Sequence, residues 1–333
     1  MDNKPLLTIA IPTYNRSVQL QNTLNSIINQ SNFDISKIEI LISDNASQDN
    51  TIDVVQSYQE KFPFIHYYKN DVNLGIDYNI YKCVDLSRTD YVYLLSDDDI
   101  LLGNSIKKML ELIENNPNIS FFYLNGIGFK FDDNNHKVFY DNPVMQNKGN
   151  ILFTDKNKFI NLIRLQSTFI SAFLLHRETW NINRNKERLI GTDIYLTYDL
   201  FHLLSNSKKY MFVSEPLVGV HESYTAGNYR IFHAFAHQWR QLLLEEAPSI
   251  GFDRDIMKKI FKQTLKHLKG KIKGIKQGNL NSELDFKTLK LIFTSLYDTK
   301  VFWLYILPAL IKPKFIYKLE LFLNNTLRLK KKS

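Results

Sequence analysis

The 333-residue chain reads as an α/β protein: a mostly parallel sheet flanked by helices, followed by a helical C-terminal region. Three observations predict this. Short apolar runs alternate with amphipathic stretches of helical length over residues 1–125, polar loops follow the apolar runs, and beyond Ala226 almost every segment reads as helix. A hydrophobic content of 44% with 13% aromatics is ample for a packed core and excludes a disordered or fibrous chain.

The elements follow in order. The runs LLTIAI (6–11), KIEILIS (37–43), FIHYYK (64–69), YVYLLS (91–96) and ISFFYL (119–124) are expected strands. Between them, residues 18–30, 50–62, 75–86 and 103–115 carry apolar side chains at three-and-four spacing and are expected helices. Strand, helix and strand in repetition imply right-handed crossovers and a sheet covered on both faces. From Gly126 the pattern is mixed, with GIGFKF, TFISAFLL and YMFVSEPLVGV as strands and TDKNKFINLIRL and GTDIYLTYDLFHLL as helices. Residues 1–225 are therefore read as one domain in two halves, 1–125 and 126–225. Residues 226–333 form a separate helical region, interrupted by Gly270, Gly274, Gly278, Pro308 and Pro313.

Ligands of such sheets bind beyond the carboxyl ends of the strands, so the loops there are where chemistry is expected. The densest acidic feature is Asp97-Asp98-Asp99, at the end of an apolar run. Three adjacent carboxylates repel one another unless a cation or hydrogen-bond donors answer them. Capping the helix near Asn104 needs only one carboxylate, whereas a hard divalent ion, Mn2+ or Mg2+, holding a diphosphate uses several. In the second loop, Asp44 and Asn45 directly follow a run; a carboxylate there can accept the imide N–H of uracil or thymine. In the first loop, Pro12-Thr13-Tyr14-Asn15-Arg16, Tyr14 can stack on a base and Arg16 can sit near phosphate. The third offers Asn73 and Gly75, an amide and a residue permitting close backbone approach.

IPTYNR, SDNASQD, NLG and LLSDDDIL, in this order and spacing, resemble the nucleotide-sugar half of the family-2 glycosyltransferases of bacterial surface-polysaccharide type. The resemblance implies the GT-A fold, a Rossmann-like sheet flanked by helices, and inverting transfer of a sugar from a nucleoside diphosphate sugar, UDP-sugar favoured. The acceptor it implies is a hydroxyl of a glycan or lipid-linked molecule. By matching position, Pro12, Tyr14 and Asp44 contact the nucleoside, Asn73 and Gly75 lie near it, and the triplet supplies metal and ribose contacts. The commoner family pattern is Asp-x-Asp-Asp, which puts Ser96 where the first Asp is expected. Asp97 and Asp99 also spell Asp-x-Asp and are the favoured metal ligands, with Asp98 left among the nucleotide contacts. The resemblance further implies a general base near a helix start in the acceptor half. Asp193 is the best positional match, with Asp199 in reserve, and His221 matches a place from which a His approaches the metal.

Charge divides the chain. Residues 251–333 hold 19 Lys/Arg against 6 Asp/Glu, a net +13, leaving residues 1–250 at −5 within a total of +8. Basic amphipathic segments with aromatics, such as 254–276 and 301–332, suit an anionic membrane surface or a contact between copies of the chain. No nucleic-acid motif accompanies them, so no nucleic-acid partner is expected. The N-terminus lacks a basic segment followed by a sustained apolar run, and the lone Cys83 excludes an internal disulfide. The chain is thus expected in the cytoplasm, peripheral at the inner face of the membrane. A non-catalytic nucleotide-sugar binding or scaffold protein is the alternative left open, because no Glu-Asp pair marks the base.

Overall fold

A computed structural model describes residues 4–132, 134, 136–181, 186–222, 230–278, 284–314 and 316–317. The chain divides into two compact units, Met1–Glu222 and Ser223–Ser333.

In the first unit, β1 (Leu7–Thr13), α1 (Ser17–Ile28), β2 (Ile38–Asp44), α2 (Thr51–Gln59), β3 (Ile65–Lys69), α3 (Ile76–Leu86) and β4 (Tyr91–Leu94) alternate as the periodicity predicts. β1 pairs in parallel with β2 and β4, and β2 with β3. β1 and β4 are buried along their whole length, which is why they read as continuous apolar runs, while the edge strand β3 is partly exposed. Next come β5 (Ile100–Leu101), α4 (Ser105–Asn115), β6 (Phe121–Phe131), β7 (Lys137–Pro143), β8 (Ile151–Phe153), α5 (Lys156–Ile163), β9 (Phe173–His176), α6 (Arg177–Trp180), α7 (Tyr195–Asn206) and β10 (Tyr210–His221). The sheet order is β3-β2-β1-β4-β9-β6-β10-β5, with β7 on β6 and β8 on β10. Its core runs from Ile9, Ile11, Ile40 and Ile42 through Tyr93 to Phe122 and Leu124, closed on one side by Leu20, Leu24 and Ile27 of α1 and Ile106 and Met109 of α4.

Three differences from the sequence reading have physical causes. ISFFYL and GIGFKF are a single strand, β6, because nothing between them turns the chain. β7 is exposed at six of its seven positions and carries no buried stripe to betray it. β5 is only two residues long, yet it pairs antiparallel with Val218 and Gly219 of β10. A Cβ at Gly219 would lie 2.6 Å from Ile100 Cγ1, so the pairing depends on that glycine.

The described elements of the second unit are helices. A helix with π-type turns at His233–Gln238 and Leu242–Glu246 precedes the helix Arg254–Gln277, which Asp253 caps and Gly278 ends in left-handed backbone (φ 82°). Ile260, Phe261, Leu265 and Leu268 of that helix are all buried within the unit. This corrects the expectation that its apolar face meets a membrane. The exposed apolar side chains lie instead on the next helix, Phe286–Leu296, and beyond it: Phe286, Leu289, Phe293, Tyr297, Trp303 and Leu304.

Candidate active site

The site is built at the carboxyl edge of β1, β2 and β4, where each strand ends in a polar loop. Asn45 is the buried hub of the second loop. Its Nδ2 donates to Asn73 Oδ1 at 2.7 Å and to the Gly75 carbonyl at 3.2 Å, while its Oδ1 accepts from Asn70 Nδ2 and the Leu74 amide, both at 3.0 Å. Asn79 of α3 ties the first two strands, donating to the carbonyls of Thr13 at 3.3 Å and Ser43 at 2.9 Å. Asn15 and Ala46 sit in left-handed backbone (φ 53° and 67°), a strain that clusters at ligand loops. Reciprocal bonds hold the two loops together there: the Asn15 amide donates to Ser47 Oγ at 2.8 Å and the Gln48 amide to Asn15 Oδ1 at 2.7 Å. Pro12 and Thr13 are buried at the end of β1, and Tyr14 stands 41% exposed beyond them.

Asp44 is completely buried. Its carboxylate accepts from the Ser47 amide at 2.8 Å and from the Tyr67 hydroxyl at 2.6 Å. Expected as an open acceptor for a base, it serves in this structure as the clip of its own turn, and burial beside that carboxylate raises the Tyr67 pKa.

Protein donors answer all six oxygens of the acidic triplet. Asp97 accepts from Arg16 Nη1 at 3.0 Å and Thr13 Oγ1 at 2.7 Å; Asp98 from Arg16 Nη1 at 2.9 Å and Ser96 Oγ at 2.6 Å; Asp99 from Ser171 Oγ at 2.6 Å and the His221 amide at 2.8 Å. Thr23 of α1 holds the main chain, its hydroxyl 2.9 Å from the Asp97 carbonyl and 2.7 Å from that of Asp99. Burial pushes the Asp97 carboxyl up to about 6, with Arg16 pulling back and Asp98 adding repulsion. Burial likewise pushes Asp99 up to about 7, with the Asp98 charge adding to it. Arg16 is raised in turn, since the two carboxylates outweigh its burial.

The triplet is therefore unequal. Asp99, expected as a metal ligand, is 3% exposed and bolts the loop to Ser171 and β10, whereas Asp98 is the least buried of the three. His221 reaches the triplet through its main-chain amide; its ring packs between Phe129 and Phe131, with centroids 5.2 and 5.4 Å away. Among the described residues no group of three or more His, Cys, Asp and Glu side chains is arranged to hold a metal ion. Mg2+ and Mn2+ need fewer, taking one or two carboxylates with phosphate oxygens and waters. Each oxygen of Asp97 and Asp98 retains a second lone pair, so the donor set fits such an ion.

Asp193 precedes α7 in a turn with Gly191 at φ 89° and Asp193 at φ 63°. The turn lies against the first turn of α3, which brings Asp193 to the same edge of the sheet as the donor loops. Asp199, the reserve, is buried within α7 and paired with Lys186 Nζ at 3.2 Å, a structural ion pair inside the unit. The sequence reading missed Thr23, Ser171, Asn79 and Asp77. Of these only Asn79 and Asp77 left a signal, as polar residues on the buried stripe of α3.

The architecture and this edge define a class. The S. aureus TarS fragment 1–349 in complex with UDP-GlcNAc matches with a TM-score of 0.65 over 88% of this chain and 80% of that one, at 13% identity, and the fold is GT-A. The model of Glycosyl transferase family 2 matches residues 8–178, just over half of the chain. The chain belongs to that family. Abequosyltransferase RfbV of Salmonella typhimurium is 39% identical over 115 residues, 34% of each chain. The Campylobacter jejuni GalNAc(5)-diNAcBac-PP-undecaprenol beta-1,3-glucosyltransferase is 34% identical over 108 residues, 32% of this chain and 34% of that one. The match thus spans about a third of the length of these curated relatives.

Proposed function

We propose that the chain is an inverting, metal-dependent glycosyltransferase that moves a sugar from a nucleoside diphosphate, UDP favoured, to a hydroxyl of a glycan or lipid-linked acceptor in bacterial surface-polysaccharide synthesis. The observation that carries this reading is the acidic triplet at the end of β4, tied to the first donor loop by Thr13 and Arg16 and to the other half of the unit by Ser171 and His221. Pro12, Tyr14 and Asp44 flank the nucleoside, with Asn73 and Gly75 beside them. Asp97 and Asp98 hold the ion, Mn2+ or Mg2+, which when bound neutralises charge on the diphosphate. Asp193 accepts the proton of the acceptor hydroxyl as that oxygen bonds to the anomeric carbon, and the bond from that carbon to the diphosphate oxygen breaks on the opposite face. The UDP-GlcNAc in the TarS complex and the undecaprenol-linked acceptor in the Campylobacter relative's name favour these substrate classes.

The test is a thermal-shift panel of UDP, GDP and dTDP and their sugars with and without Mn2+, since a specific ligand stabilises as RT ln(1 + [L]/Kd). UDP with Mn2+ should give the largest shift, Asp98→Asn should remove its Mn2+ component, and Asp193→Asn should keep the shift while losing transfer. No shift with any nucleotide, or full transfer by Asp193→Asn, would sink the corresponding part.

The second unit is proposed to rest on the anionic inner face of the membrane. No described helix is long and apolar enough to cross one. Phe286, Leu289, Phe293 and Tyr297 recur at three-and-four spacing on one exposed helix face, amid the basic surplus of residues 251–333. The Phe293 and Tyr297 rings stack at 5.6 Å, and the exposed Trp303 donates to the Tyr297 carbonyl at 2.7 Å, extending the patch. The double variant Phe293→Ser, Trp303→Ser should co-sediment with phosphatidylglycerol vesicles at least tenfold less than the wild type; equal binding would refute this surface.

A further inference from the structure

We propose that Asp77 is a positioning residue that sets the Gly191–Asp193 turn, and with it the Asp193 carboxylate, against the donor loops. The inference rests on the reading of Asp193 as base but is carried by a separate observation. The Asp77 side chain, 4% exposed, accepts three main-chain N–H groups of one distant segment. Its Oδ2 takes the amides of Gly191 at 2.9 Å and Asp193 at 2.8 Å, and its Oδ1 takes that of Tyr195 at 3.3 Å. No neighbouring side chain of α3 can replace it, because it alone in the first helical turn is acidic.

The turn needs such a holder. Asp193 lies in left-handed backbone, which a Cβ disfavours, and Gly191 two residues earlier does the same. Three main-chain amides of this segment, at 191, 193 and 195, converge on the one buried carboxylate, the donor set of a small anion-binding concavity. Burial raises the Asp77 carboxyl above its ordinary range while the three amides pull it back, so the contact is between an expensive charge and the donors that justify it.

The first turn of α3 faces two ways. The Gly75 carbonyl at its start accepts from Asn45 of the donor loop at 3.2 Å and from the Asn79 amide at 3.2 Å. Two residues on, Asp77 grips the turn before α7. Donor loop and proposed base are thus registered to each other through one helical turn, which makes the distance from anomeric carbon to base a property of α3.

The test uses the full chain as wild type, Asp77→Asn and Asp193→Asn. Asp77→Asn keeps the shape and one carbonyl acceptor but turns an N–H donor toward the amides. Hydrogen exchange read by mass spectrometry should show peptides covering 189–196 losing protection at least tenfold in Asp77→Asn, with peptides of β1, β2 and β4 unchanged. The UDP affinity in Mn2+ should stay within twofold, and kcat for release of UDP from UDP-GlcNAc should fall at least tenfold at unchanged donor KM. Unchanged protection at 189–196, or unchanged kcat, overturns the proposal. Loss of protection throughout the unit would mark Asp77 as merely structural and overturn it too. If Asp193→Asn keeps full turnover while Asp77→Asn loosens 189–196, the base assignment has failed and the positioning of the turn has not.

Discussion

The loops after β1, β2 and β4 and the Gly191–Asp193 turn sit at the same edge of one sheet but are held by opposite means. The first two loops lock each other and the triplet through their own residues, Asn45, Asn15, Ser47 and Thr13, with helices α1 and α3 adding Thr23 and Asn79. The acceptor turn is held from outside, by a carboxylate 114 residues away in sequence from the first amide it binds. A site that carries its own locks can be spelled as a short motif. A site locked from elsewhere cannot, because its sequence records only the turn and not the holder.

The largest effect expected from this contrast is at Asn45. Its amide makes four hydrogen bonds across two loops, the one to Asn70 fully buried, and Asn45→Ala would leave the Asn70 amide group and the Leu74 main-chain N–H without these partners. An unsatisfied buried polar group costs about 1–3 kcal/mol, so a loss of about that size in urea denaturation is expected, together with weaker nucleotide binding. If Asn45→Ala were neutral while Asp77→Asn loosened 189–196, the donor loops would not be self-locking and the contrast would fall.

The same logic sorts what the sequence revealed. β1 to β4 and α1 to α4 were legible because each is a long periodic segment buried on a predictable face. The loops after them were legible because polar residues crowd where a parallel sheet binds ligands. β5 was lost because two residues carry no period. The inequality within Asp97-Asp98-Asp99 was lost because it is set by Ser171 and His221, on strands far along the chain. His221 shows the same limit: its residue type draws attention to the ring, while its bond to Asp99 comes from an amide that any residue but proline could supply.

That inequality gives the smaller and sharper prediction. Burial pushes the Asp97 carboxyl up to about 6 and that of Asp99 up to about 7, against an ordinary Asp value of about 3.9. The folded chain therefore keeps protons that the unfolded chain has released. Stability from these groups is full below the ordinary value and is lost as pH rises through 6 and 7. In chelator, thermal unfolding of the wild type should occur at lower temperature at pH 8 than at pH 5, by roughly 1 kcal/mol from Asp97 and roughly 2–3 kcal/mol from Asp99, or several degrees. Asp99→Asn, which cannot ionise, should flatten the upper part of that dependence. Asp98→Asn should change it mainly by removing a repelling neighbour, lowering both values and moving the fall to lower pH. If Asp98→Asn flattened the profile as fully as Asp99→Asn, the two carboxylates would be equivalent, and Asp99 would lose its distinction as the more deeply buried bolt of the loop.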